Sequence, residues 1–189
     1  MLNFAMRAGI IVGVLGILSS PTFAATNLVY CSEGSPESFN PQRTLSGTAR
    51  NATAATIYNQ LVDFEQGGTK LVNSLAESWS ISDDKKTYIF NLRKDVKFQT
   101  TAYFTPTRDF NADDVLFSFN RQLREDHPYH FVGGGNYQYF QGMGMQKLIK
   151  DIIKVNDNQI KIILNQPEAP FLSNLAMPFM SILSAEYGE

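Results

Sequence analysis

Hydrophobic positions along the chain change period several times, and each change predicts an element. Trp79 and Ile81 alternate with polar neighbours, Ser82-Asp83-Asp84-Lys85-Lys86 supplies a charged turn, and Tyr88, Phe90 and Leu92 alternate with Thr87, Ile89 and Asn91. A period of two on both sides of a turn predicts a β-hairpin with one aromatic face. A second hairpin is predicted over Ile152 to Val155, a turn at Asn156-Asp157-Asn158, and Ile160, Ile162 and Leu164 on one face. Between the hairpins the period lengthens. Val115, Leu116, Phe119 and Leu123 recur at helical spacing behind Asn111, a good N-cap, with Asp113 and Asp114 in the first turn, where negative charge complements the helix dipole. Capping accounts for both carboxylates without invoking a metal or acid–base site. Near the end Phe171, Leu172, Leu175, Phe179, Ile182 and Leu183 also follow helical spacing, and Pro178 is expected to kink or divide that helix.

The earlier part of the chain is less regular. Asn27 to Ser32 reads as a short strand running into a Gly34–Pro36 turn, followed by the polar loop FNPQRTLSGTARN and a helix from about Ala49 to Leu61. Antiparallel hairpins interleaved with helices predict a mixed α/β fold. Before them lies a segment of different character: one positive charge at Arg7, an apolar run from Ala8 to Leu18, then small and turn-forming residues. These are the three zones of a secretory signal peptide over residues 1–24, with Thr22 and Ala24 at the small-residue sites and cleavage after Ala24. As a membrane anchor the run is too short, rising only about 16 Å as a helix, roughly half the hydrocarbon thickness.

Composition narrows the function classes. The 189 residues carry 18 Asp plus Glu against 16 Lys plus Arg, a net charge of −2, which gives no electrostatic case for nucleic acid. Hydrophobic residues make up 43% and charged residues 18%, so the chain can bury a core. A single cysteine, Cys31, excludes an internal disulfide framework. In an oxidising compartment it implies either a missing partner or a buried reduced thiol. Metal, nucleophile-elbow and phosphate-loop signatures are absent, and Gly67-Gly68 reads as a turn. His127 and His130 read as surface histidines, two imidazoles being too few for a metal site. No cofactor, metal or catalytic residue is expected. Two features suggest ligand contact: the loop-to-helix junction at Ser46, Gly47 and Thr48, which exposes backbone N–H groups, and the glycine-rich aromatic segment from Phe131 to Met145, which reads equally as a long surface loop whose aromatics tuck onto the helices.

These motifs converge on a family. LAESWSISDDKKTYIFNLRKDVKF (Leu75 to Phe98) followed by FNADDVLFSFNRQ (Phe110 to Gln122) resembles the signature of the oligopeptide- and dipeptide-binding proteins that serve bacterial ABC importers. LVYCSEGSPESFNPQ, LSGT, PYHFVGGGNYQYFQGMGM and QPEAPFLSNLAMPFMSILSAEY are most similar to the dipeptide-binding branch. The resemblance implies a type II periplasmic-binding-protein-like fold, two lobes across a hinged cleft, of which this chain is the N-terminal part. It places residues 25–57 as the first segment of the large lobe, 58–181 as its smaller subdomain and 182–189 as the return into the large lobe. It implies a monomeric periplasmic receptor for dipeptides or short peptides that delivers them to an inner-membrane permease and performs no catalysis. The backbone of Ser46, Gly47 and Thr48 would meet the peptide main chain, Tyr137, Tyr139 and Phe140 are candidates for the cleft wall, the ligand's charges would be met by residues beyond Glu189, and Cys31 would pair with a cysteine there. Leu45 departs from the polar residue expected before that Ser-Gly-Thr. Haem-binding and antimicrobial-peptide-uptake relatives remain alternatives, and FQTTAYFTPTRDFNADDV (Phe98 to Val115) resembles the latter branch. A secreted hydrolase would need Ser46 paired with His127 or His130.

Overall fold

Two strands with strict alternation sit at the centre of the molecule. The computed structural model describes Val29 and residues 31–44, 46–54 and 56–188. In β4 (Thr87–Leu92) every second side chain, Tyr88, Phe90 and Leu92, is buried, and in β6 (Gln159–Leu164) so are Ile160, Ile162 and Leu164. The two pair antiparallel with Phe90 opposite Ile160 and Tyr88 opposite Ile162, so the apolar faces coincide. Each is also one arm of a hairpin: β3 (Ala76–Ile81) pairs with β4, and β5 (Ile149–Asn156) pairs with β6, giving the antiparallel order β3-β4-β6-β5. Both predicted hairpins therefore form. The second turns at Asp157-Asn158, where Asn156 Oδ1 accepts from Asn158 N at 2.9 Å. On the edge strand the alternation is weaker, with Trp79 packed against the core and Ile81 44% exposed. A separate two-stranded ribbon, β1 (Val62–Phe64) and β2 (Leu71–Asn73), closes through the Gly67-Gly68 turn, where Gly67 has φ +75°.

Helix α2 (Ala112–Leu123) begins as its cap predicts. Asn111 Oδ1 accepts from Asp113 N at 2.8 Å, while the Asp114 carboxylate accepts from Asn111 N at 2.9 Å, a reciprocal capping box. Val115 and Phe119 are fully buried, and the helix packs on β5. Asp113 adds an ion pair across that contact to Lys154 on β5 at 2.8 Å. Two short helices follow, α3 (Gln138–Gly142) and α4 (Met145–Leu148). Pro178 divides the last apolar stretch into α5 (Phe171–Leu175) and a 3₁₀ turn over Pro178–Met180, before α6 (Ala185–Gly188). No described helix is long and apolar enough to cross a membrane.

The first helix is shorter than expected. α1 occupies Gly47–Ala52 only. Thr53 ends it: its hydroxyl bonds back to Ala49 O at 2.6 Å, its N–H reaches Arg50 O, and the chain then turns. Ile57, assigned above to the helix, is largely exposed, whereas Leu61 is buried just ahead of β1. By its contacts the chain divides into Met1–Cys31 and a compact unit over Ser32–Glu189. The signal segment, the cleavage site at Ala24 and Leu45 lie outside the described residues. So does most of the strand expected over Asn27 to Ser32, whose described members Val29, Cys31 and Ser32 carry no strand.

Candidate ligand-binding groove

Glu37, Ser38, Arg43, Thr44, Ser46, Gln138 and Tyr139 line an open concavity of about 550 Å³. One wall is the loop before α1. Glu37 braces it, since Thr44 Oγ1 and Ser46 Oγ each donate to one of its carboxylate oxygens. The Ser46 hydroxyl, and after it the backbone N–H of Glu37, hold the Glu37 carboxyl below the usual glutamate range. Ser46 Oγ in turn accepts from Ala49 N at 3.1 Å, capping α1. The hydroxyl is thus spent on the scaffold. Gly47 has open space where a Cβ would stand.

Buried amides seat the loop. The Gln42 Nε2 donates to Ser118 O on α2 at 2.9 Å and to Ser181 O at 3.1 Å. Gln122 Nε2 reaches Phe179 O at 3.0 Å and Gln60 Nε2 reaches Ser181 Oγ at 2.8 Å, so three glutamines tie four chain segments around one point. Asp114 does the same with charge. Fully buried, it takes Arg108 in a fork at 2.7 and 3.0 Å and accepts from Ala185 N at 2.8 Å.

The opposite wall comes from the glycine-rich segment. Arg121 of α2 anchors it: Nε donates to Tyr137 Oη at 3.1 Å, Nη2 reaches Val132 O at 3.3 Å, and the guanidinium lies 5.7 Å from the Tyr137 ring centroid. Tyr137 Oη donates onward to His130 O at 2.9 Å. With that base fixed, α3 carries Gln138 and Tyr139 to the concavity, Tyr139 being 41% exposed and stacked on Phe179.

Of the residues singled out in the sequence, Ser46 and Tyr139 border the concavity, with Gly47 and Thr48 following Ser46 into α1. Tyr137 and Phe140 do not reach it. Both are fully buried, because the period of α3 and the Arg121 anchor turn them into the core, and they back the wall rather than face a ligand. Cys31 is exposed, which sets aside a buried reduced thiol. His130 is not a surface histidine: only 2% exposed, its Nδ1 lies 2.7 Å from Arg121 O and its ring packs against Phe131 and Tyr137. His127 is half-buried against Phe117 and Tyr129. Ser46 donates to Glu37 rather than to an imidazole, and neither histidine lines the concavity, so the serine–histidine pair of a hydrolase is not formed. The reading of the sequence missed Glu37, Ser38, Arg43, Thr44 and Gln138. The only signal they carried was two opposite charges within the loop that leads to Ser-Gly-Thr.

Residues 70–188 match the model for bacterial extracellular solute-binding proteins, family 5 Middle. The dipeptide-binding protein of Escherichia coli (strain K12) is 54% identical over 165 residues, 87% of this chain and 31% of that protein. Heme-binding protein A of Haemophilus influenzae is 53% identical over 161 residues, 85% of this chain and 29% of that protein. Among solved structures, the dipeptide binding protein from Pseudoalteromonas sp. SM9913 in complex with Met-Leu matches with a TM-score of 0.82 and 48% identity, covering 85% of this chain and 32% of that one. The chain spans about a third of the length of these relatives. The motif order, the mixed α/β fold and these matches together place it in family 5 of the bacterial extracellular solute-binding proteins.

Proposed function

We propose that this chain belongs to the periplasmic receptor of an ABC importer, which captures dipeptides or short peptides and hands them to inner-membrane permease subunits. The likeness to a dipeptide-binding protein solved with Met-Leu carries this reading. In it, residues 25–57 open the large lobe, 58–181 form its smaller subdomain, 182–189 lead back into the large lobe, and the leader ending at Ala24 directs export. The backbone of Ser46, Gly47 and Thr48 meets the peptide main chain and Tyr139 walls the site. Tyr137 and Phe140 hold that wall from behind. The opposing lobe meets the ligand's terminal charges, because a charge buried without a partner costs several kcal/mol. Cys31 is one half of a disulfide completed elsewhere in the gene product. Hinged closure on ligand is the general behaviour of periplasmic binding proteins. Ligand favours the closed form by its differential affinity for it.

Calorimetry on the full-length gene product tests the reading with Met-Leu and, in parallel, haem. Saturable dipeptide binding with the peptide recovered intact is the expected result. Haem binding without dipeptide binding, which the likeness to heme-binding protein A makes the next reading, overturns it. Release of new amine groups would show hydrolysis and overturn it as well.

A further inference from the structure

Arg43 borders the groove with a guanidinium that no other described residue engages by a hydrogen bond or ion pair. The group offers five N–H donors in a planar fork. Among the described residues its Nε is buried without a hydrogen-bond partner, and Glu37, the one carboxylate of the groove, is engaged by Thr44 and Ser46 rather than by Arg43. The opposite wall is cleared to receive it. Gly133 (φ +85°) and Gly134 (φ +110°) lie against the guanidinium. A Cβ at Gly133 would run into Nη1 and Cζ, and one at Gly134 would stand 3.4 Å from Nη2. Two backbone conformations that favour glycine thus seat a fixed, unpaired cation at the edge of an open concavity.

On this evidence we propose that Arg43 is a specificity-determining residue that takes a carboxylate on the ligand's side chain, so that the receptor prefers peptides bearing Asp or Glu. The inference rests on the peptide-receptor reading above. The buried Nε holds no ligand itself, but among the described residues neither Nη1 nor Nη2 has a hydrogen-bond partner, and a carboxylate supplies two oxygens matched to that end of the guanidinium fork. Glu37 in the same groove disfavours more highly charged anions such as phosphate and leaves a singly charged carboxylate as the fitting guest.

The test compares near-isosteric pairs by calorimetry on the full-length gene product: Ala-Glu against Ala-Gln, and Glu-Ala against Gln-Ala. The wild type is expected to prefer the acid in at least one pair by about 10-fold or more. Arg43→Gln should bring that ratio close to one, and Arg43→Lys should leave it between, since lysine keeps the charge and loses the fork. A wild-type ratio near one refutes the proposal without any variant, and so does an undiminished ratio in Arg43→Gln. Equal acid and amide affinities combined with an Arg43-dependent loss for Ala-Ala amide would move Arg43 to the terminal carboxylate and overturn the side-chain assignment. If no peptide of either kind binds, the receptor reading itself fails, and this failure is distinguishable from the others.

Discussion

Replacing Asp114 by Asn changes a few atoms at the most heavily bonded carboxylate of the structure. The side chain is fully buried and accepts four hydrogen bonds: two from Arg108 at 2.7 and 3.0 Å, one from Asn111 N at 2.9 Å and one from Ala185 N at 2.8 Å. The amide keeps one acceptor oxygen and turns the other into a donor, which then faces an N–H or the guanidinium. Breaking a buried pair of this kind costs about 3–5 kcal/mol. Arg108 retains 30% exposure, so its charge partly rehydrates and the expected loss falls to about 2–4 kcal/mol. Urea unfolding of the wild type, Asp114→Asn, Arg108→Gln and the double variant measures it. The cycle should return a coupling of about 1–3 kcal/mol, because once either partner is gone the second substitution removes little more. A loss below about 1 kcal/mol, or strictly additive singles, would show that the fork and the cap do not act as one unit.

Three further outcomes follow from local geometry. Lys85 holds φ 55° in the first hairpin turn, a conformation unfavourable for a side chain, so Lys85→Gly should gain about 0.5 kcal/mol in the same urea assay; destabilisation would contradict this. Burial, then the charges of Arg121 and His130, lower the His127 pKa from 6.5. The unfolded chain then binds that proton more readily, so this contribution to stability is complete above pH 6.5 and is lost as pH falls below it; a proton-NMR titration of the ring with a midpoint at or above 6.5 refutes the packing argument. Glu37 has the parallel sign for an acid: its bonds support the loop fully above the ordinary value of 4.5 and are lost as pH falls through the lowered value, and Ser46→Ala should raise its carbon-13 titration midpoint towards 4.5, an unmoved midpoint counting against the brace.

Legibility in the sequence followed the range of the interactions. Both hairpins and the start of α2 were readable because alternation and an N-cap act over a few residues. The early end of α1 depends on the Thr53 hydroxyl choosing Ala49 O, which apolar spacing does not report. Tyr137 and Phe140 read as wall candidates because their segment is rich in glycine, and His130 as a surface histidine for want of metal-ligand company, whereas Arg121, from another element, bonds Tyr137 and Val132 and offers its carbonyl to His130. In the groove, Ser46 was flagged by the loop-to-helix junction and Tyr139 by its aromatic company. Arg43 gains its setting only from glycines some ninety residues away, a juxtaposition no local pattern encodes.

The Gln42 amide has a consequence for the order of assembly. It seats the loop before α1 on Ser118, 76 residues along, and on Ser181, 139 residues along. Closing loops of that length is entropically dear and late. Through one of its two bonds this loop waits on a residue 139 positions downstream, so it is not fully seated until the Ser181 turn is in place. The loop wall of the concavity therefore reaches its final form near the close of this unit's folding, after the local hairpins and α2.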